Sequence, residues 1–205
     1  MEYQVLQIKS KKDIASCNTF YIDNFNWGGD YRPVTYGQLG LIKDSGFFIK
    51  FICLEKNPTR IYTKQNDPVY KDSAVEAFFC FTPEYGFSKN PSYLNFEMNA
   101  NGAFLVKIGK DRFCRESLPD ELCSLIVCTP KLTEDRWEIE LFIPLSVLNS
   151  VYPLPDFYKG SHFTCNFYKL QESGDEFQHF ASFSPITTEE PNFHLPEYFA
   201  DAVIV

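Results

Sequence analysis

No run of basic residues occurs anywhere in this 205-residue chain, whose 19 Lys and Arg are outnumbered by 27 Asp and Glu for a net charge of -8. A phosphate backbone finds no cationic track to follow here, which excludes nucleic acid as a partner. Only three histidines are present, and the seven cysteines include no CxxC pair, so no metal-ligand spacing stands out. An odd cysteine count also argues against a disulfide framework and for buried thiols in a reducing compartment. No apolar run approaches the length of a membrane span, so no membrane partner is expected. The opening MEYQVLQIKSKKD lacks the apolar centre of a secretory signal. The chain therefore reads as cytoplasmic, or as secreted if a signal peptide was removed ahead of it. Internal repeats, low-complexity tracts and βαβ alternation are all missing, and helical periodicity is scarce.

What is abundant is aromatic: 21 Phe and 12 Tyr, within a hydrophobic fraction of 44%. That is enough apolar surface for one sizeable core, and it favours sheets over helices. Two stretches organise the reading. In YKDSAVEAFFCF, residues 70 to 81, Val75, Ala77 and Phe79 alternate with Glu76, Phe78 and Cys80. In YLNFEMNANG, residues 93 to 102, Leu94, Phe96 and Met98 alternate with Asn95, Glu97 and Asn99. Each is a strand with one apolar face and one face carrying a carboxylate, and Asn101-Gly102 suits a two-residue hairpin turn. If the two strands are neighbours, Glu76 and Glu97 share a face, and like charges directly opposite are destabilising. A cation, an offset register or a polar ligand must then compensate them.

Along the chain, residues 3 to 8 suggest an opening edge strand, and Asn24 to Tyr36 an ordered loop anchored by Trp27 and Tyr31. Leu39 to Lys43 and Phe47 to Leu54 flank the hairpin signal Asp44-Ser45-Gly46, and Glu55 to Val69 is a long polar loop. Thr82 to Ser92 connects the two organising strands. Residues 114 to 124 hold a short helix, and Pro144 to Val151 a turn or two more. Ser124 to Thr129 pairs with Arg136 to Ile143, and strands follow at Phe163 to Leu170, Phe177 to Phe183 and Ala202 to Val205. The expectation is one all-β domain over residues 1-205, an antiparallel two-sheet β-sandwich with short helical turns.

The segments YKDSAVEAFFCF, YLNFEMNANG, NFYKL (166 to 170), HFASFSPI (179 to 186) and PNFHLPEYF (191 to 199) resemble, in this order, the family 9-like carbohydrate-binding modules, particularly a stand-alone bacterial branch. The resemblance runs from about Tyr36 to the C-terminus. It implies a β-sandwich related to the DOMON superfamily of sugar-binding and haem-binding domains, and a mono- or oligosaccharide partner. In the xylanase-attached members two tryptophans sandwich a terminal sugar, while a glutamate and nearby Arg and Asn side chains bind its hydroxyls. On that pattern Tyr70 and Phe193 stand at the tryptophan positions, Glu76 at the glutamate, and Asn95 and Glu97 at the polar positions of the next strand. A carboxylate thus replaces the arginine.

Elementary chemistry supports that set, because a pyranose needs flat apolar platforms and a few fixed polar groups. Packing is the competing role for Tyr70 and Phe193, and a surface or ion-paired carboxylate the competing role for Glu76. Tyr168 and Lys169 are further candidates; Lys169 either answers one of the two carboxylates or holds an acidic sugar. His179 and His194 suit structural hydrogen bonding, with a zinc site involving Glu76 or Glu97 as the alternative. No cofactor is called for, and a structural calcium stays open. The function expected is non-catalytic recognition of a glycan chain end or small saccharide. The alternatives are a glycoside hydrolase using Glu76 and Glu97, and a haem-binding domain with Met98 or a histidine as axial ligand.

Overall fold

Strands that hide one face require a second layer to hide it against, and the chain supplies two sheets for this. The structure, a computed structural model, describes residues 1–81, 92–152, 156–174 and 176–205. In chain order the strands are β1 (Glu2–Ile8), β2 (Thr19–Tyr21), β3 (Asn24–Gly28), β4 (Val34–Ile42), β5 (Gly46–Leu54), β6 (Ala74–Cys80) and β7 (Tyr93–Asn99). They continue as β8 (Phe104–Gly109), β9 (Arg115–Ser117), β10 (Val127–Leu132), β11 (Trp137–Pro144), β12 (His162–Gln171), β13 (His179–Ser182) and β14 (Ala200–Ile204). Two short helices, α1 (Asp120–Cys123) and α2 (Leu145–Val151), fall where a short helix and a helical turn were expected. The expected connection from Thr82 to Ser92 lies, but for Ser92, outside the described residues.

The first sheet runs β10-β11-β5-β4, with β2 and the second half of β1 along the far side of β4. The second runs β14-β12-β6-β7-β8-β9, and β13 and then β3 continue it beyond the later half of β12. Here the structure departs from the expected edge strand. Glu2–Val5 of β1 pairs with β14 and Leu6–Ile8 with β4, parallel in both cases, so β1 is the seam between the sheets. The remaining ladders are antiparallel. The loop expected from Asn24 to Tyr36 likewise contains β3, whose pairing with β13 is irregular between Phe180 and Ala181. The β7–β8 turn is also one residue longer than the Asn-Gly dipeptide implied. Asn99 N–H donates to the Ala103 carbonyl at 3.2 Å, and Gly102 takes the left-handed conformation at φ 78°.

The aromatic excess fills the space between the sheets. Phe20 stacks on Phe167 at 3.9 Å between ring centroids, and Phe47 meets Phe163 edge-on at 5.5 Å. Five of the seven cysteines are buried thiols, Cys128 is half-buried and Cys114 exposed; none is disulfide-bonded. A second apolar layer forms on the other face of the second sheet, where Ala74, Phe78, Tyr93 and Tyr168 are covered by Ile186, Phe193 and Phe199. Asn166 fastens this covering segment, donating to the Ser184 carbonyl at 3.0 Å and accepting from Ser184 N–H at 2.8 Å. The cover leaves a cleft beside it, and the sheet forms the floor.

Candidate functional site

Register decides what lies on that floor. Tyr168, Glu76, Glu97 and Leu105 stand in one cross-strand row over β12, β6, β7 and β8. The two carboxylates are therefore direct neighbours, with no offset to separate them. Both are 3% exposed. The compensating cation comes from β9: Arg115 Nη1 lies 3.5 Å from Glu97 Oε1 and donates to Asn95 Oδ1 at 3.0 Å. Asn95 in turn donates to Glu97 Oε1 at 2.8 Å. Among the described residues Glu76 Oε2 and Glu97 Oε2 are buried without a hydrogen-bond partner.

Electrostatics follow from this arrangement. Burial, with Glu97 opposite, pushes the Glu76 carboxyl well above the ordinary carboxylate range, and Arg115 only partly offsets it. Burial pushes Glu97 up to about 7, again against the pull of Arg115. Both shifts run the same way, so burial and mutual repulsion favour proton uptake by the pair.

Arg115 reaches the floor because a glycine lets it pass. Gly109 is its cross-strand partner, and a Cβ there would sit 2.6 Å from Arg115 Cγ. The turn before β9 is held by Asp111, whose Oδ1 accepts from Phe113 N–H at 2.8 Å and Cys114 N–H at 2.9 Å. That turn carries Arg112 and Phe113 to the rim. Phe113 is 90% exposed.

The cleft has a volume of about 630 Å³, within the range of small-molecule sites. Glu76 lies on its floor, and Tyr70, Lys107, Arg112, Phe113, Arg115 and Glu172 line it together with Phe180, Phe193 and His194. Asn95 and Glu97 are not lining residues; they stand next to Glu76 and Arg115, which are. Tyr70 is half-buried on a 3-10 turn over Val69–Lys71. Phe193 borders the cleft but is mostly engaged, because Tyr168 stacks on it at 4.1 Å and it is only 7% exposed. Tyr168 is itself fully buried, and its hydroxyl donates to the Phe193 carbonyl at 3.1 Å. His194 shares a 2.9 Å hydrogen bond between Nδ1 and the Tyr93 hydroxyl. Burial, with Arg115 and Arg112 nearby, pulls its pKa down to about 2, so its ring is neutral.

Lys169 and His179 do not belong to the cleft. Lys169 is on the inner face of β12, with Cys165 and Phe167, and answers neither Glu76 nor Glu97. Its partner is Glu55, with Nζ 3.5 Å from Oε2. Nζ also donates to Ser73 Oγ at 2.7 Å and lies 2.8 Å from His179 Nε2. His179 Nδ1 faces the Phe177 carbonyl at 2.6 Å, so Nδ1 carries the proton and Nε2 accepts from the ammonium. Burial and the adjacent Lys169 pull the His179 pKa down to about 3. Among the described residues no cluster of three or more His, Cys, Asp or Glu is placed to hold a metal ion. Met98 packs in the core between the sheets while His194 lines the opposite face, so the two do not converge on one axial site.

Aromatic rings lining a cleft over a buried carboxyl group, with a guanidinium beside it, suit a polyhydroxylated ligand. The family model of carbohydrate-binding family 9 matches residues 7–204, and the chain belongs to that family. The match begins well before Tyr36, at the last two residues of β1, and runs through β14. A solved candidate carbohydrate-binding protein from Bacteroides uniformis is similar over 100% of this chain and 99% of its own, with a TM-score of 0.83 and 22% identity. A family 9 carbohydrate-binding module from Caldicellulosiruptor kristjanssonii, in complex with glucose, covers 100% of this chain and 96% of its own at a TM-score of 0.68 and 12% identity. Its cellotriose complex gives 0.67 and 12%, over 100% and 93%. At these identities the structural likeness speaks for the fold. No curated protein matches the sequence.

Proposed function

We propose that this domain binds carbohydrate without catalysis, taking a glycan chain end or small saccharide into the cleft over Glu76. The observation that carries the reading is the unpartnered buried carboxyl oxygen of Glu76, Oε2, on the floor of a cleft lined by aromatic rings, with the likewise unpartnered Glu97 Oε2 belonging to the neighbouring residue in the same row. A buried polar atom without a partner is unfavourable unless a ligand completes it, and sugar hydroxyls both donate and accept. Tyr70 and the exposed Phe113 are the free aromatic platforms, and Phe193, braced by Tyr168, is part of the wall. Asn95 and Arg115 hold Glu97 in place. The family 9 module complexed with glucose and with cellotriose supports a saccharide as the ligand class. Dissociation constants of roughly micromolar to millimolar are expected.

A hydrolase built on Glu76 and Glu97 is less well supported. Of the two carboxyls only Glu76 lines the cleft, whereas glycosidases flank the scissile bond with both. Titration calorimetry with glucose, cellobiose and cellotriose tests the binding reading. Tyr70→Ala and Phe113→Ala are each expected to weaken binding by roughly three- to tenfold, the worth of one aromatic platform. Full affinity in both variants would remove the cleft from consideration.

A further inference from the structure

The cleft is rich in cations, although the chain as a whole is acidic. Lys71, Lys107, Arg112 and Arg115 all border it. Arg115 is committed to Asn95 and Glu97. The other three are not: among the described residues Lys71 and Lys107 make no ion pair, and Arg112 has only a 3.8 Å contact with Glu172. Arg112 is nevertheless held in position by the Asp111-braced turn beside Phe113. On the acidic side the lining has Glu76, Glu172 and Glu190.

From this juxtaposition of uncommitted cations on the rim with a polar floor, we infer that the preferred ligand is a saccharide bearing a carboxylate, such as a uronic acid unit. The inference rests on the saccharide reading above and narrows its substrate class. Hydroxyls of the ring meet Glu76 on the floor, and the carboxylate meets Arg112 and Lys107 at the rim. A guanidinium fork matches a carboxylate in shape, and a charge-assisted hydrogen bond is about twice as strong as a neutral one. Among the described residues Glu76 makes no ion pair with any of the rim cations, and burial with Glu97 opposite raises its pKa, which favours its neutral form. A phosphate dianion brings a second negative charge into a cleft whose lining also includes Glu172 and Glu190, a larger repulsion than a singly charged carboxylate incurs.

Calorimetry with D-glucuronate, its methyl ester, glucose and glucose 6-phosphate, at low and at high salt, tests the inference. Glucuronate is expected to bind at least about tenfold tighter than glucose or the ester at low salt. High salt and the Arg112→Gln/Lys107→Gln double variant should each remove most of that advantage, while glucose binding by the variant persists. Equal or tighter binding of glucose, tighter binding of glucose 6-phosphate, or an advantage that survives the double substitution overturns the inference and leaves the saccharide reading standing. Silence from all four probes and from cellotriose defeats both.

Discussion

Lys169→Met is expected to destabilise the protein by about 3–5 kcal/mol, the usual consequence of removing one partner of a buried ion pair. For a chain of this length that corresponds to a fall of roughly 6–20 °C in the thermal midpoint. The reason lies in what Glu55 would lose. Its Oε2 accepts from Trp137 Nε1 at 2.8 Å and Ser73 Oγ at 2.5 Å, and its Oε1 accepts from the Tyr31 hydroxyl at 3.2 Å. Burial would raise its pKa, but the Lys169 ammonium and the hydrogen bonds from Ser73 and Trp137 outweigh burial and hold the carboxyl below its ordinary value. Burial pulls the Lys169 ammonium down, and Glu55 holds it up. Without the lysine, burial dominates and Glu55 becomes a carboxyl of raised pKa. The deficit of Lys169→Met should therefore shrink on acidification, as Glu55 takes up a proton in the folded state. Adding Glu55→Gln should recover much of the loss at neutral pH, because the uncompensated charge is gone. Saccharide affinity should be unaffected, since the network lies on the inner face of the sheet. A Lys169→Met protein as stable as the parent would mean that the ammonium contributes nothing to the fold.

Periodicity made the architecture legible, and it also located the central pair of the site. Alternation in β6 and β7 put Glu76 and Glu97 on one face, and the register then set them directly opposite each other. Lys169 was expected to answer one of those carboxylates or to hold an acidic sugar, and it does neither, because it shares the inner face with Phe167 and pairs with Glu55. Its true partner, Glu55, is more than a hundred residues earlier, at the end of β5, and nothing local connects them. Arg115 was hidden for a different reason. Its strand has three residues, too few for a pattern, and its reach depends on Gly109, a close approach that only the paired backbone reveals. Phe113 looked like one more aromatic in a chain full of them, and only its 90% exposure separates it from the core. The parallel seam of β1 had no signal at all, because pairing between distant segments needs no turn residues.

Glu76→Gln should make the protein more stable at pH 8 and leave it unchanged near pH 4, an unusual sign for altering a buried polar side chain. The sign follows from proton linkage. A carboxyl whose folded pKa lies above its unfolded value keeps a proton that the unfolded chain has already released. Over that window the folded state loses about 1.4 kcal/mol of stability per pH unit for each such proton, and the loss begins above the ordinary carboxylate pKa. Glu76 is in this position, and Glu97, pushed up to about 7, adds to the slope between about 4.5 and 7. Glu55 and Glu138 have lowered values and work the other way, losing their contribution as the pH falls below the carboxylate range. Glutamine keeps the shape of the protonated acid and ends the proton uptake. The midpoint of Glu76→Gln should therefore pull ahead of the parent by roughly 3–5 °C for each pH unit above 5 until Glu76 itself ionises. Saccharide affinity should fall by less than about tenfold in Glu76→Gln, which still donates and accepts, and by far more in Glu76→Leu, which does neither. Melting curves from pH 4 to 8 check the first expectation and calorimetry the second. Curves that stay parallel across that range would show Glu76 ionised and satisfied by another group. Parallel curves with binding lost in both variants would mean that the site needs the charge of Glu76, and the floor would then be a cation receptor in place of a hydroxyl receptor.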